Sequence, residues 1–193
     1  MNILRLSPKE ADLDGPTVKD TTAPEGLTFH YADEAKPLAT PWQVAVERAK
    51  MVRKCKLPNG PILDPACGSG IQLAAYCAML SRNGFGIEMD ESTARAANSN
   101  LRRVAEHGFG ESLLESNILV GDGTVGDANQ KFSMLHLDPA RPRNSRTHGL
   151  DEMAPSLPDI FTAWKDSLIE AERGPAILLD LSPRLDSNQQ AEV

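Results

Sequence analysis

The sequence predicts an α/β fold, a doubly wound and mainly parallel sheet with helices on both faces. Three observations predict it. Short runs that are apolar throughout, rather than alternating, recur along the chain, as strands buried on both faces require. Between them lie segments whose apolar residues fall at helical spacing. Four of the runs end in an acid, and the first also leads into a glycine-rich turn, so polar groups collect at the carboxyl ends of the strands, where open α/β sheets bind ligands.

The chain is long enough for one domain with a substantial core: 193 residues, 40% hydrophobic and 24% charged. A net charge of −7 counts against a stand-alone nucleic-acid binder, although a local basic patch can sit on an acidic protein. Cys55, Cys67 and Cys77 are odd in number and lack metal-ligand or redox spacing, so they read as reduced thiols of a cytoplasmic protein, and no metal site is expected. No apolar run approaches membrane-spanning length, and no signal-peptide pattern opens the chain.

Residues 1–39 read as a flexible N-terminal arm, because 7–39 are poor in large apolar side chains and rich in Pro, Thr, Asp and Glu. Thr40-Pro41-Trp42-Gln43 then predicts a helix start, with Thr40 at the N-cap and Pro41 at the first helical position. Trp42, Ala45, Val46, Ala49 and Val52 form its apolar face, while Arg48 and its charged neighbours are read as a solvated face. Pro58-Asn59-Gly60-Pro61 makes the turn into the first strand, Ile62-Leu63, and the glycine turn covers 64–70.

A crossover helix is expected over 72–80 and a second strand over 84–89. The next helix begins with Asp90 as its cap, buries Ala94, Ala97, Leu101 and Val104, and stops at Gly108. Ile118-Leu119-Val120 is the third strand and 132–137 the fourth. A loop rich in Pro, Arg and Asn precedes a helix over 158–173, and a fifth strand covers 176–181. Residues 184–193 are a polar tail. His136, inside a strand, reads as a satisfied core histidine rather than a base, Cys67 as a packing residue, and Trp42 and Trp164 as core.

Asp64, Glu88 with Asp90, Asp122 and Asp138 stand at four successive strand ends. One such acid is ordinarily a turn residue, but four together favour a site. The turn lacks the third glycine of a dinucleotide fingerprint and the Lys-Ser/Thr pair of a triphosphate loop. A pyrophosphate is repelled by so many carboxylates. A ligand with an amine, a ribose diol and an adenine amino group suits acceptor-only side chains.

The series Asp64-Pro65-Ala66-Cys67-Gly68-Ser69-Gly70, Gly86-Ile87-Glu88-Met89-Asp90, Gly121-Asp122 and Asp138-Pro139-Ala140-Arg141 resembles the ordered motifs of class I S-adenosylmethionine (SAM)-dependent methyltransferases. The resemblance makes residues 40–183 a Rossmann-like SAM-binding core. The Asp-Pro-Ala-Arg segment, the Arg-rich loop, the Thr40-Pro41 helix start and a strand ending Leu181-Ser182-Pro183 resemble more narrowly the THUMP-like members, which implies RNA methylation. The resemblance implies that Asp64 holds the methionine amine directly or through water. Ala66, Cys67, Gly68 and Gly70 line the methionine part. Glu88 takes the ribose hydroxyls with Asp90 as neighbour or helix cap, and Asp122 accepts from the adenine amino group beside Gly123. Asp138 and Pro139 sit where methyl transfer occurs, and Arg141, Arg143 and Arg146 contact RNA phosphate.

Departures are visible. Arg141 replaces the aromatic residue of adenine-type enzymes and Ala140 a proline, which disfavours base N6-methylation; no cysteine follows Asp138 as a nucleophile for carbon methylation. DNA, protein or a small molecule are alternative acceptors, and an inert SAM- or RNA-binding module is a reading of another class. The class I fold carries two further strands after the fifth, and the polar tail cannot supply them. A partner chain or a further C-terminal domain is therefore expected to complete the sheet, whose fifth strand is otherwise an uncovered edge.

Overall fold

The short run Ile62-Leu63 sends its two side chains to opposite faces of a sheet, and each meets a separate hydrophobic core. The computed structural model describes residues 4–32, 39–127, 129–140 and 152–181. Its strands are β1 (Leu4–Leu6), β2 (Thr17–Lys19), β3 (Thr28–His30), β4 (Ile62–Asp64), β5 (Gly84–Glu88), β6 (Asn117–Val120), β7 (Met134–Leu137) and β8 (Ile177–Leu179). Its helices are α1 (Trp42–Val52), α2 (Ile71–Leu80), α3 (Glu91–Val104) and α4 (Leu157–Trp164).

Among the described residues six strands form one sheet in the order β1-β6-β5-β4-β7-β8. All neighbours are parallel except β1, which runs antiparallel to β6. The predicted doubly wound, mainly parallel sheet is therefore present. The chain winds from β4 outward through β5 to β6, then crosses back to β7 and β8, so the topological switch point lies between β4 and β7. On one face Trp42, Ala45, Leu73, Tyr76, Ala97 and Leu101 pack over Ile62 and Met134. On the other, Ile160 and Trp164 of α4 pack over Leu63, Phe85 and Leu135. Helix α2 is buried all round from Ile71 to Ala78, which explains its apolar composition. Among the described residues no helix is long and apolar enough to cross a membrane.

Three expectations are corrected. The described part of the N-terminal arm is folded onto the core. Leu4–Leu6 extends the sheet, and β2 and β3 form a hairpin that buries Leu27 and Phe29. Three consecutive polar residues of α3 grip this segment: Asn98 donates to the Ser7 carbonyl (3.0 Å), Ser99 to the Asp12 carbonyl (2.6 Å) and Asn100 to the His30 carbonyl (2.8 Å). Second, α1 starts one residue later than expected, and Thr40 is not its cap. The Trp42 N–H donates to Asp20 Oδ2 (2.7 Å) and the Gln43 N–H to Thr22 Oγ1 (3.1 Å), so the arm satisfies the orphan donors that a local cap would have met. Third, the helix expected over 158–173 ends at Trp164 with one 3-10 turn beyond it. Phe132 accepts from the Ile169 N–H (2.9 Å) and donates to the Ser167 carbonyl (2.8 Å), so pairing with the strand entry extends what helical periodicity alone would continue. Residues 33–38, the Arg-rich loop at 141–151 and the tail from 182 lie outside the described residues.

Candidate functional site

Parallel strands put their carboxyl ends on one edge, and the crossover at β4 and β7 opens a crevice there. A cavity of about 650 Å³ occupies it. Asp64, Ala66, Cys67, Gly68, Glu88, Asp122, Gly123, Asp138 and Pro139 all line this cavity. The structure thus brings together nine of the predicted site residues from four strand ends. Gly70 and Asp90 do not line it, and Arg141, Arg143 and Arg146 lie outside the described residues.

The glycine turn is built by tight local geometry. Gly68 and Gly70 both have positive φ, 51° and 71°. A side chain at Gly68 would meet nothing within 4 Å, so that glycine faces open space, whereas one at Gly70 would lie 2.9 Å from Ala97 Cβ. Gly70 therefore serves the packing of the turn on α3 and stands at the N-terminus of α2, whose N–H groups open toward the turn. The Cys67 N–H donates to the Ile87 carbonyl (2.9 Å), and Asn100 donates to the Ser69 carbonyl (2.9 Å), so β5 and α3 both hold the turn. Cys67 is buried, and burial with the charges of Asp64 and Glu88 pushes its thiol well above the ordinary range, which makes it a packing residue and not a nucleophile.

The acids differ in how they are held. Glu88 is half-buried; its Oε1 accepts from the Asp90 N–H (2.9 Å), and burial lifts its carboxyl above the ordinary range. Asp90 is the cap of α3: its Oδ1 accepts from the Thr93 N–H (2.8 Å) and from the Ser92 and Thr93 hydroxyls (2.6 and 2.8 Å), which hold its carboxyl low. Asp122 is exposed and folds over its own turn, Oδ1 accepting from the Thr124 N–H (2.9 Å) and hydroxyl (2.7 Å), which likewise lowers it. Gly123 has no room for any side chain, because a Cβ would fall 1.9 Å from the Pro65 carbonyl oxygen. Its own carbonyl accepts from the Trp164 indole N–H (2.7 Å), which joins this loop to the first turn and to α4.

Asp64 is only 2% exposed, and both its oxygens are engaged: Oδ1 by the Ala66 N–H (3.2 Å) and Oδ2 by His136 Nδ1 (2.8 Å). Asp138 stands at the cavity rim, where partial desolvation and nearby Asp180 raise its carboxyl while His136 and Arg48 oppose the rise. Sequence reasoning passed over two groups. His136, placed only in the core, also lines the cavity, and Asp180 beyond β8 completes a charged cluster beneath it. Burial opposes a charge on His136, but Asp64 and Asp180 outweigh it and push the ring up to about 9. Their separations of 72 and 44 residues leave no local signal in the sequence. Among the described residues no group of three or more His, Cys, Asp or Glu side chains could hold a metal ion.

No protein-family model and no curated protein matches the chain. Solved structures match it in fold. A Porphyromonas gingivalis W83 protein assigned as a methyltransferase superposes with a TM-score of 0.60 at 20% identity, over 83% of this chain and 36% of that one. A SAM-dependent methyltransferase from Clostridium acetobutylicum ATCC 824 gives 0.52 at 17% identity, over 77% and 54%. The glycopeptide N-methyltransferase MtfA, solved with SAM, gives 0.50 at 15% identity, over 70% and 53%. The chain thus spans between about a third and about half the length of these proteins. It has the α/β fold that they share.

Proposed function

We propose that the chain is the cofactor-binding and catalytic core of a SAM-dependent methyltransferase. One observation carries the reading: a glycine turn and acids from four strand ends converge on a single cavity at the switch point, in a fold shared with such enzymes. The donor set fits the cofactor. Gly68 opens onto free space beside backbone that can approach a ligand, and the acids are acceptors for an amine, a diol and an exocyclic amino group. In this reading Ala66, Cys67, Gly68 and Gly70 form the backbone around the methionine part. Asp64 receives the amine with the lone pairs left by its two protein hydrogen bonds. Glu88 accepts from the ribose hydroxyls, with Asp90 fixing its orientation through the N–H it donates. Asp122 accepts from the adenine amino group, and Gly123 keeps that loop close.

SAM supplies an already activated methyl group, so the protein's task is alignment of the acceptor and exclusion of water. Asp138 and Pro139 face the acceptor side of the cavity. A carboxyl raised by its surroundings, as Asp138 is, accepts a hydrogen bond from an entering nucleophile and can take up its proton. Structured RNA is the acceptor we propose, on the strength of the THUMP-like resemblance and of Arg141, Arg143 and Arg146 directly after Asp138, as phosphate contacts.

A thermal-shift titration with SAM tests cofactor binding. The wild-type chain is expected to be stabilised, and Asp122→Ala to lose the shift; an unchanged shift would sink the role given to that acid. Transfer of tritiated methyl groups to separated RNA, DNA and protein pools tests the acceptor. Label in RNA alone supports the proposal, label in another pool moves the acceptor there, and cofactor binding without transfer to any pool overturns a macromolecular acceptor and leaves a small-molecule acceptor or a binding module.

A further inference from the structure

Beneath the glycine turn lies a buried charged cluster for which cofactor contact gives no account. His136 is 1% exposed. Its Nδ1 is 2.8 Å from Asp64 Oδ2, and its Nε2 is 3.1 Å from Asp180 Oδ2. A carboxylate only accepts, and a neutral imidazole donates from one nitrogen alone. Two carboxylates facing the two nitrogens are both satisfied only when the ring carries both protons. The neighbourhood balances that charge. Arg48 of α1 reaches Asp180 Oδ2 (2.8 Å) and Gln72 Oε1 (3.0 Å), and Gln72 in turn donates to the Ala45 carbonyl (3.3 Å). Asp64 and Asp180 contribute two negative charges and His136 and Arg48 two positive ones, so the cluster as a whole is neutral. Every packed element presents a group to the ring: Asp64 from β4, Arg48 from α1, Tyr76 from α2 with its ring centroid 5.0 Å away, Asp138 beyond β7 and Asp180 beyond β8. The Tyr76 hydroxyl is buried without a partner, so it does not relieve either carboxylate.

We infer that His136 is a positioning residue that works as an imidazolium, giving one N–H to Asp64 and one to Asp180, and thereby fixes the acid under the glycine turn and ties the end of β8 to it. The consequence for the site is direct. Loss of one ring proton leaves the cluster with a net negative charge beside Asp138, and loss of the one on Nδ1 frees Asp64 to turn away from the cavity. Cofactor binding therefore depends on the protonation of a cavity-lining residue to which the cofactor reading assigns no contact.

The role of Asp64 toward the cofactor rests on the methyltransferase reading; the doubly protonated ring does not, and the two are measured separately. The full chain labelled with ¹⁵N-histidine is followed by long-range ¹H–¹⁵N correlation between pH 6 and 10, with His136→Gln identifying the signal. Both ring nitrogens of His136 are expected to stay protonated through pH 8; a bare nitrogen at pH 7 overturns the inference. S-adenosylhomocysteine affinity is then measured by calorimetry at pH 6 and 8. Wild type is expected to bind equally at both. Asp180→Asn keeps an acceptor but removes the balancing charge, so its ring should lose the proton at lower pH, with affinity near wild type at pH 6 and roughly ten-fold weaker at pH 8. A variant that binds equally at both values overturns the positioning role. This arm does not depend on the folding of His136→Gln. Failure of wild type to bind while its ring stays doubly protonated overturns the cofactor reading instead, and with it the effect of the ring on binding.

Discussion

The acids at the carboxyl edge of the sheet are held in two different ways. On the β5–β6 side, Asp90 and Asp122 accept hydrogen bonds from backbone and hydroxyl groups two or three residues along the chain, and Glu88 accepts only from backbone, at Asp90, Met89 and Gly68 of the glycine turn. On the β4–β8 side, Asp64 and Asp180 are tied to His136 and Arg48 from distant parts of the chain, and Asp64 is sealed from solvent. The first kind of acid is held by backbone and hydroxyl donors and is available to a ligand. The second is part of the frame and offers a ligand only the lone pairs that its charged partners leave free. An acid at a strand end therefore does not by itself mark a ligand contact: its partners decide.

The largest expected effect separates the two kinds. Asp64→Ala strips the His136 cation of one of its two carboxylates inside the protein, and breaking such a pair typically costs about 3–5 kcal/mol. Glu88→Ala removes a half-buried side chain held by backbone donors with no charged partner and should cost about 1–2 kcal/mol. Urea denaturation gives both numbers. The same pair of variants titrated with S-adenosylhomocysteine should show Glu88→Ala folded but at least ten-fold weaker in binding. Equal losses of stability in the two variants would erase the distinction between frame and ligand acids.

A pH series sharpens it. The His136 ring is raised from its ordinary 6.5 to about 9 in the fold. Its charge therefore stabilises the folded state fully below about pH 6.5, and the contribution disappears as the pH rises through about 9, a difference of about 3 kcal/mol. Thermal unfolding should show a decline across that window, and Asp180→Asn should shrink it. A flat profile between pH 6.5 and 9 would mean that the ring is neutral.

The division also explains what could be read from the sequence. The five parallel strands β4–β8, the glycine turn, the acids after them and the cap of α3 rest on apolar runs and contacts within a few residues, and these were legible; β1–β3 in the arm were not. The gripping of the arm by Asn98, Ser99 and Asn100 was not, because each reaches a carbonyl 70 to 91 residues away; three polar residues in a row on a helix, where they add nothing to its stability, were the available hint. The cap of α1 was assigned to Thr40 because it lies next door, while the structure draws it from Asp20, 22 residues earlier. His136 was legible as a buried histidine, but its two carboxylate partners were brought together only by the crossover between β4, β7 and β8.

Gly123 probes the seam between the two sides. It stands beside Asp122 in the cavity lining, and the contact that forbids a side chain is with the Pro65 carbonyl, 1.9 Å from where a Cβ would stand. Gly123→Ala must push the β6–β7 loop off the first turn and loosen the bond its carbonyl accepts from Trp164. A loss of about 1–3 kcal/mol is expected in urea denaturation, accompanied by weaker cofactor binding. Lost binding at unchanged stability would assign the glycine to the ligand instead.

The smallest effect settles the place of Asp90, which stands one residue from the cavity-lining Met89 and two from Glu88 and could belong to either description. Three hydrogen bonds from Ser92 and Thr93 occupy its Oδ1, and its side chain does not line the cavity. If it is only the cap of α3, Asp90→Ala lowers the melting temperature by about 2–4 °C and Asp90→Ser, which keeps a capping oxygen, restores most of that. Cofactor affinity should stay within about three-fold in both, since the Asp90 N–H that orients Glu88 belongs to the backbone and survives the substitution. A binding loss in Asp90→Ser much larger than this, with the helix restored, would move Asp90 out of the scaffold and into the ligand-holding group beside Glu88.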